Sequence, residues 1–228
     1  MSFLKDSIKN FPIIKELNEN ALTHLLNIIR LRQYKNHGQI FSKGTSLNEI
    51  YFIIRGKVKI FNKDSCGKEQ IVWIMQKGDI FPLEGFSREV TFPANAETLE
   101  DSIIGSIGVH DFESLILDNP NVLIKLFSVM NERIIDLQTR LEEQVLLERN
   151  MQIVKLLLRL CERYGEITQN GQCHLKPQFT TTDLAKMVGA SRGSISRTYS
   201  RLIKEQLLYK DNVGGLLVEF EKLKEKFG

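Results

Sequence analysis

Six glycines, at positions 38, 44, 56, 67, 78 and 85, cut the middle of this 228-residue chain into short runs. The runs between and after them, "QIFSKG", "IYFIIRGKVKIF", "QIVWIM" and "SIIGSIG", are rich in Ile, Val, Phe and Tyr. Short β-prone runs broken evenly by glycine turns predict an antiparallel barrel or jelly roll, here over about residues 38–110. "KDSCGKE" reads as the tip of one hairpin. On either side the pattern changes to a helical period. Residues 3–31 read as short helices, with Ala21, Leu22, Leu25, Leu26, Ile28 and Ile29 on one face. "HDFESLILDNP" returns to helix. The stretch from Asn121 to Asn150 then runs without a breaker. Within it Leu123, Phe127, Met130, Ile134, Leu137 and Leu141 alternate spacings of four and three, the pattern of a coiled-coil seam. A helix of about 45 Å carrying such a stripe needs a partner surface. Its own roll and a second copy of the chain are compatible choices, and a parallel homodimer is favoured. The fold class expected is α+β.

Composition bounds the class. A hydrophobic fraction of 42% and a charged fraction of 26% suit a soluble globular protein. No apolar run reaches the roughly 18 residues of a membrane span. Charges interrupt the apolar pattern of "MSFLKDSIKNFPII", unlike a signal peptide, so a cytoplasmic location without membrane attachment is expected. Cys66, Cys161 and Cys173 are widely spaced, and the four histidines are scattered. Neither set has metal-ligand spacing, so no metal or cofactor is expected. The net charge of +3 is unevenly placed. Residues 1–148 hold 17 Lys+Arg against 20 Asp+Glu, while residues 149–228 hold 14 against 8. An acidic first part followed by a basic second part points to a polyanion partner for the latter. The division into domains is expected near Arg149–Asn150: a first domain of residues 1–148 with a dimerisation helix over about 120–148, then a second domain of residues 149–228. "MQIVKLLLRLCERYG" is a further amphipathic helix and "EITQNGQCHLKPQ" a polar loop or hairpin.

The last fifty residues are the most specific. "FTTTDLAKMVGASRGSISRTYSRLIKEQLL" reads as helix, glycine turn, helix. Thr180 and Asp183 have capping-box spacing. Gly189 ends the first helix, and Ser191 suits the N-cap of the second. With Ile195, Tyr199 and Leu202 turned inward, Arg192, Gly193, Ser196, Arg197 and Ser200 fall on one outward stripe that holds no acid. A DNA major groove admits a helix and offers guanine O6 and N7 to an arginine fork. Short serines allow close approach to phosphates and bases. Ser194 lies beside this stripe. "LLYKDNVGGLLVEF" reads as a hairpin, a wing turning at Asp211–Gly215, with Lys204 and Lys210 placed for phosphates.

In this order of parts the chain resembles the Crp/Fnr family of bacterial transcription regulators. The glycine-broken roll with "GDIF", the helix opening "NPNVLIKL", and above all "LAKMVGASRGSISRTYSRLIKEQLL" carry the resemblance. It implies a cyclic-nucleotide-binding-type roll, a dimerisation helix and a winged helix-turn-helix. It also implies homodimers on a pseudo-palindromic double-stranded site with half-sites about one helical turn apart. Arg197 matches the family's base-reading arginine, and Arg192 a basic position at the start of the recognition helix. Thr181 and Thr182 match phosphate contacts. Gly193 stands where the family usually has a glutamate that accepts from cytosine N4, so the family's usual half-site is not expected. RNA polymerase is an expected partner, with Gly165–Pro177 as the contact.

The sensor departs from the cyclic-AMP-binding members. Leu83-Glu84-Gly85 is not their phosphate-cassette start, and Pro93-Ala94 falls near the place of their Arg-Ser pair. Leu137 and Gln138 replace the polar pair that reaches the adenine. A cyclic phosphate there would have no guanidinium partner, so cyclic AMP is not expected to bind. Phe81, Leu83, Glu84, Pro93, Ala94, Leu137 and Gln138 mark the pocket position, which reads as more apolar or as filled by side chains. No Cys cluster precedes Cys66, unlike the iron–sulfur members. A regulatory subunit on the same roll is the alternative, though it needs no Arg192/Arg197 stripe. No catalytic motif lies on a recognisable scaffold, so an enzyme is not expected.

Overall fold

A computed structural model describes residues 2–9, 11–83, 91–176 and 179–228. Two units, Met1–Asp136 and Leu137–Gly228, each surround a hydrophobic core of their own.

The first unit begins with helices α1 (Ser2–Ile8) and α2 (Glu19–Ile28). Eight strands follow: β1 (Arg30–Tyr34), β2 (Gln39–Phe41), β3 (Glu49–Arg55), β4 (Lys57–Lys63), β5 (Glu69–Gln76), β6 (Ile80–Phe81), β7 (Asn95–Thr98) and β8 (Ser102–Gly108). They form two four-stranded antiparallel sheets, ordered β1-β8-β3-β6 and β2-β7-β4-β5. This is the roll expected from the glycine spacing, with one strand more at its start. The helical reading of residues 3–31 runs too far. The Asn18 side chain accepts from Ala21 N–H to open α2, and that helix stops at Ile28. "RLRQY" then becomes β1 at a sheet edge, where Arg30, Leu31, Arg32 and Gln33 are all exposed. Charge on an edge strand blocks stray pairing, and it also hides the strand from a search for apolar alternation. Gly56 turns β3 into β4 at φ 98°, and a Cβ there would collide with Ser102, so glycine is required twice over.

Aromatic rings fill the roll interior. Phe41 stacks on Phe92 at 3.8 Å, and Tyr51 lies 5.5 Å from both Phe41 and Phe81. On β4, Lys59 is only 5% exposed. Its ammonium lies 2.9 Å from a Glu97 oxygen, which also meets His37 Nδ1 at 2.9 Å, and 3.7 Å from Glu69. Burial pushes the Glu97 carboxyl up, but hydrogen bonds and charge from His37 and Lys59 outweigh it and hold it below the ordinary range.

Helix α3 (Val109–Leu117) leads to α4 (Pro120–Leu146), 27 residues without interruption. The seam residues divide between its faces. Leu123 and Met130 pack against the roll core with buried Val122 and Leu126. Phe127, Ile134, Leu137 and Leu141 are exposed, and so are Ile124 and Val145. The exposed row is therefore Ile124, Phe127, Asn131, Ile134, Gln138, Leu141 and Val145, again at alternating spacings of three and four. A helix that is apolar on two faces offers two readings of its seam. Burial of one face on the roll separates them.

The second unit holds α5 (Arg149–Tyr164), α6 (Thr181–Val188), α7 (Arg192–Lys204) and α8 (Phe220–Phe227). Strands β9 (Glu166–Ile167), β10 (Cys173–Leu175), β11 (Leu208–Lys210) and β12 (Leu216–Val218) form a sheet ordered β11-β12-β10-β9. Ile153, Leu157, Leu184, Ile195, Leu202 and Val218 are at the centre of its core.

Candidate nucleic-acid interface

Local chemistry fixes the helix-turn-helix. The Thr180 hydroxyl accepts from Asp183 N–H, and the Asp183 carboxylate accepts from Thr180 N–H, both at 3.1 Å, completing a capping box at the start of α6. Gly189 ends α6 at φ 68°, where a side chain is disfavoured. Ser191 then accepts from Ser194 N–H at 3.1 Å and opens α7. Ile195, Thr198, Tyr199 and Leu202 are buried beneath α7.

That anchoring turns Arg192, Gly193, Ser196, Arg197, Ser200 and Lys204 to solvent. Ser194 is half-buried at the edge of this face, its hydroxyl 3.0 Å from Ser191 Oγ and accepting from Arg197 Nη2 at 3.3 Å. Thr181 and Thr182 are half-buried in the first turn of α6. The expected outward residues thus share one surface. It carries two guanidinium groups among short side chains, a composition suited to entering a groove lined by acceptors.

The wing follows at once. Asp211 accepts from Val213 N–H at 2.9 Å and Gly215 N–H at 2.6 Å, closing the turn between β11 and β12. His174 Nε2 on β10 lies 2.8 Å from its other oxygen. Burial pushes the Asp211 carboxyl up, but the His174 and backbone hydrogen bonds prevail and leave it below the ordinary range. The sequence reading missed His174, because its partner lies 37 residues away. Cys161 and Cys173 are buried in the same unit, and burial pushes the Cys161 thiol far up, as an inert structural thiol requires.

On the sensor side, Phe81, Leu83 and Ala94 are buried in the first unit and Pro93 is exposed. Leu137 and Gln138 are exposed on α4 within the second unit. Glu84, together with Gly85 and Phe86, lies outside the described residues. Among the described residues no group of three or more His, Cys, Asp or Glu could hold a metal ion, and no helix is long and apolar enough to cross a membrane.

Two family models match along the chain. Residues 31–119 match the cyclic nucleotide-binding domain, and residues 151–226 match the Crp-like helix-turn-helix domain. The chain belongs to the Crp/Fnr family. Its helix-turn-helix is that of the Crp/Fnr transcription regulators. The chain is 26% identical to the anaerobic regulatory protein of Bacillus subtilis over 209 residues, 91% of this chain and 87% of that one. It is 24% identical to the cAMP-activated global transcriptional regulator CRP of Pasteurella multocida over 189 residues, 82% and 90% of the two chains. Its fold is that of the c-di-GMP-responsive regulator CLP of Xanthomonas campestris, with a TM-score of 0.75 at 19% identity over 88% of this chain and 99% of that one. A CooA mutant from Carboxydothermus hydrogenoformans is equally similar, with a TM-score of 0.76 at 21% identity over 90% of each chain. One sequence relative is named for cAMP and one structure of the same fold for c-di-GMP, so these likenesses select no effector.

Proposed function

We propose that this Crp/Fnr protein is a cytoplasmic homodimer that binds a pseudo-palindromic DNA site sequence-specifically, with a sensor that does not take cyclic AMP. The observation that carries the reading is the acid-free outward face of α7. Arg197 and Arg192 read base edges there, while Ser194, Ser196 and Ser200 allow close approach. Thr181, Thr182, Lys204 and Lys210 neutralise phosphates. Gly193 supplies no acceptor for cytosine, so the half-site differs from that of members with glutamate there. The exposed stripe of α4 joins the two copies. The hairpin after α5, with Ile167 largely exposed, is the surface offered to RNA polymerase; its last expected residue, Pro177, lies outside the described residues.

The sensor reading rests on charge. A cyclic phosphate near Pro93-Ala94 would meet a buried alanine instead of a guanidinium, an uncompensated cost of several kcal/mol by order of magnitude. The ring cluster of Phe41, Tyr51, Phe81 and Phe92 supports a roll interior occupied by its own side chains.

Selection from a random DNA pool tests the proposal. Wild type is expected to return a two-fold symmetric motif. Arg197→Ala is expected to lose about 1–3 kcal/mol and relax one position in each half-site. Unchanged affinity and motif would remove Arg197 from base readout. Native mass spectrometry of freshly purified protein is expected to show a dimer without bound cyclic AMP.

A further inference from the structure

The corner between α4 and α5 was expected to be the hinge between domains. In the structure it is cross-braced. Gln152, buried in the first turn of α5, turns back on the end of α4. Its Nε2 donates to the carbonyls of Leu147 at 2.8 Å and of Glu143 and Gln144 at 3.3 Å. The Gln144 and Leu147 carbonyls lie at and just past the end of α4, where the helix supplies no further donors, while the Glu143 carbonyl also accepts from Leu147 N–H at 3.1 Å. The Gln152 Oε1 accepts from Arg149 Nη1 at 2.8 Å. The same nitrogen donates to the Val188 carbonyl, at the end of α6, at 2.9 Å. One residue on, Asn150 Oδ1 accepts from the Thr198 hydroxyl beneath α7 at 2.9 Å. Arg159 on α5 also pairs with Glu143 on α4. All these groups lie in the unit Leu137–Gly228.

Together they connect the last turn of α4 to both helices of the helix-turn-helix. A single bond would allow rotation about itself. One amide bonded to the Leu147 carbonyl and sharing its second hydrogen between two more, with an arginine bridging onward, fixes direction as well as distance.

We infer that Gln152 and Arg149 are positioning residues that set which half-site spacing the dimer accepts. The inference rests on the homodimeric DNA-binding reading above. If α4 pairs the two copies, the angle at this corner fixes how far apart, and in what relative rotation, the two α7 helices lie. A one-base-pair change rotates one half-site by about a tenth of a turn relative to the other. A stiff corner cannot follow that rotation; a loose one can. The brace thereby acts on spacing, whereas the side chains of α7 act on bases.

The test uses the full chain and DNA duplexes carrying its selected motif, with the half-sites moved apart or together by one base pair. Wild type is expected to lose about tenfold or more in affinity for either change. Gln152→Met keeps the packing but lacks the donor, and it is expected to reduce that penalty to about threefold while the preferred bases within each half-site stay the same. Arg149→Met is expected to act in the same direction, and Arg149→Lys, which retains a donor, to restore much of the discrimination. Wild type that tolerates both spacings equally would overturn the inference without any variant. So would folded Gln152→Met and Arg149→Met proteins with the wild-type spacing penalty, or a loss of base preference with spacing unchanged. Wild type that binds one half-site as a monomer would overturn the homodimeric reading itself, and the inference with it.

Discussion

At the scale of single residues, Gly193 is the position whose meaning the structure changes most. A glycine opening a recognition helix suggests a backbone that needs it. Here the backbone has no such need. Its φ is not in the positive range, and a Cβ would meet only Ser191 Oγ at 3.7 Å and Arg197 Nη1 at 3.8 Å, ordinary contacts. Gly193→Ala is therefore expected to stabilise the protein, by less than about 1 kcal/mol because the site is in the first turn. Urea unfolding checks this, and a lower midpoint would reveal a constraint the contacts do not show. Gly193→Glu is expected to fold equally well and to shift the selected motif toward cytosine at one position. The same motif from both proteins would remove residue 193 from readout.

At the scale of elements, legibility depended on how many faces an element buries. Helix α7 buries one face, so Ile195, Tyr199 and Leu202 were enough to orient every outward residue. Helix α4 has apolar residues on two faces, and periodicity alone mixed them. Leu123 and Met130 belong to the roll, while Phe127, Ile134 and Leu141 are common to both readings of the seam. Strand β1 was invisible because an exposed edge needs no apolar alternation. The Gln152 brace was invisible because side-chain-to-carbonyl bonds leave no period in a sequence. The shared positions give the sharper test of the dimer. Leu141→Asp, on a residue 62% exposed in the single chain, is expected to leave the fold intact and shift sedimentation from dimer toward monomer. An unchanged dimer would move the contact off this stripe.

At the scale of the whole molecule, acid is expected to weaken both units. Glu97 in the first unit and Asp211 and Glu219 in the second are held below their ordinary range by hydrogen bonds and nearby cations. Unfolding returns them to ordinary values of about 4, so the unfolded chain binds more protons as pH falls. The stability they contribute is present above about pH 5 and is lost as pH falls through the folded values. The urea midpoint should be level near neutrality and decline below about pH 5. Glu97→Gln should flatten the slope and, by leaving Lys59 buried with a weaker partner, lower the plateau. A midpoint unchanged down to pH 3 would mean that folding does not hold these carboxyls below their unfolded values.

The room for a Cβ at residue 193 also bears on how such a regulator diverges. Most substitutions in a protein are screened first for whether the fold survives them. At this position the screen is lenient, because neither backbone nor neighbours oppose a Cβ. With residue 193 reading DNA as proposed, a duplicated copy could acquire a new operator by one substitution while remaining as stable as its parent. Its set of target genes could drift far faster than the rest of its sequence.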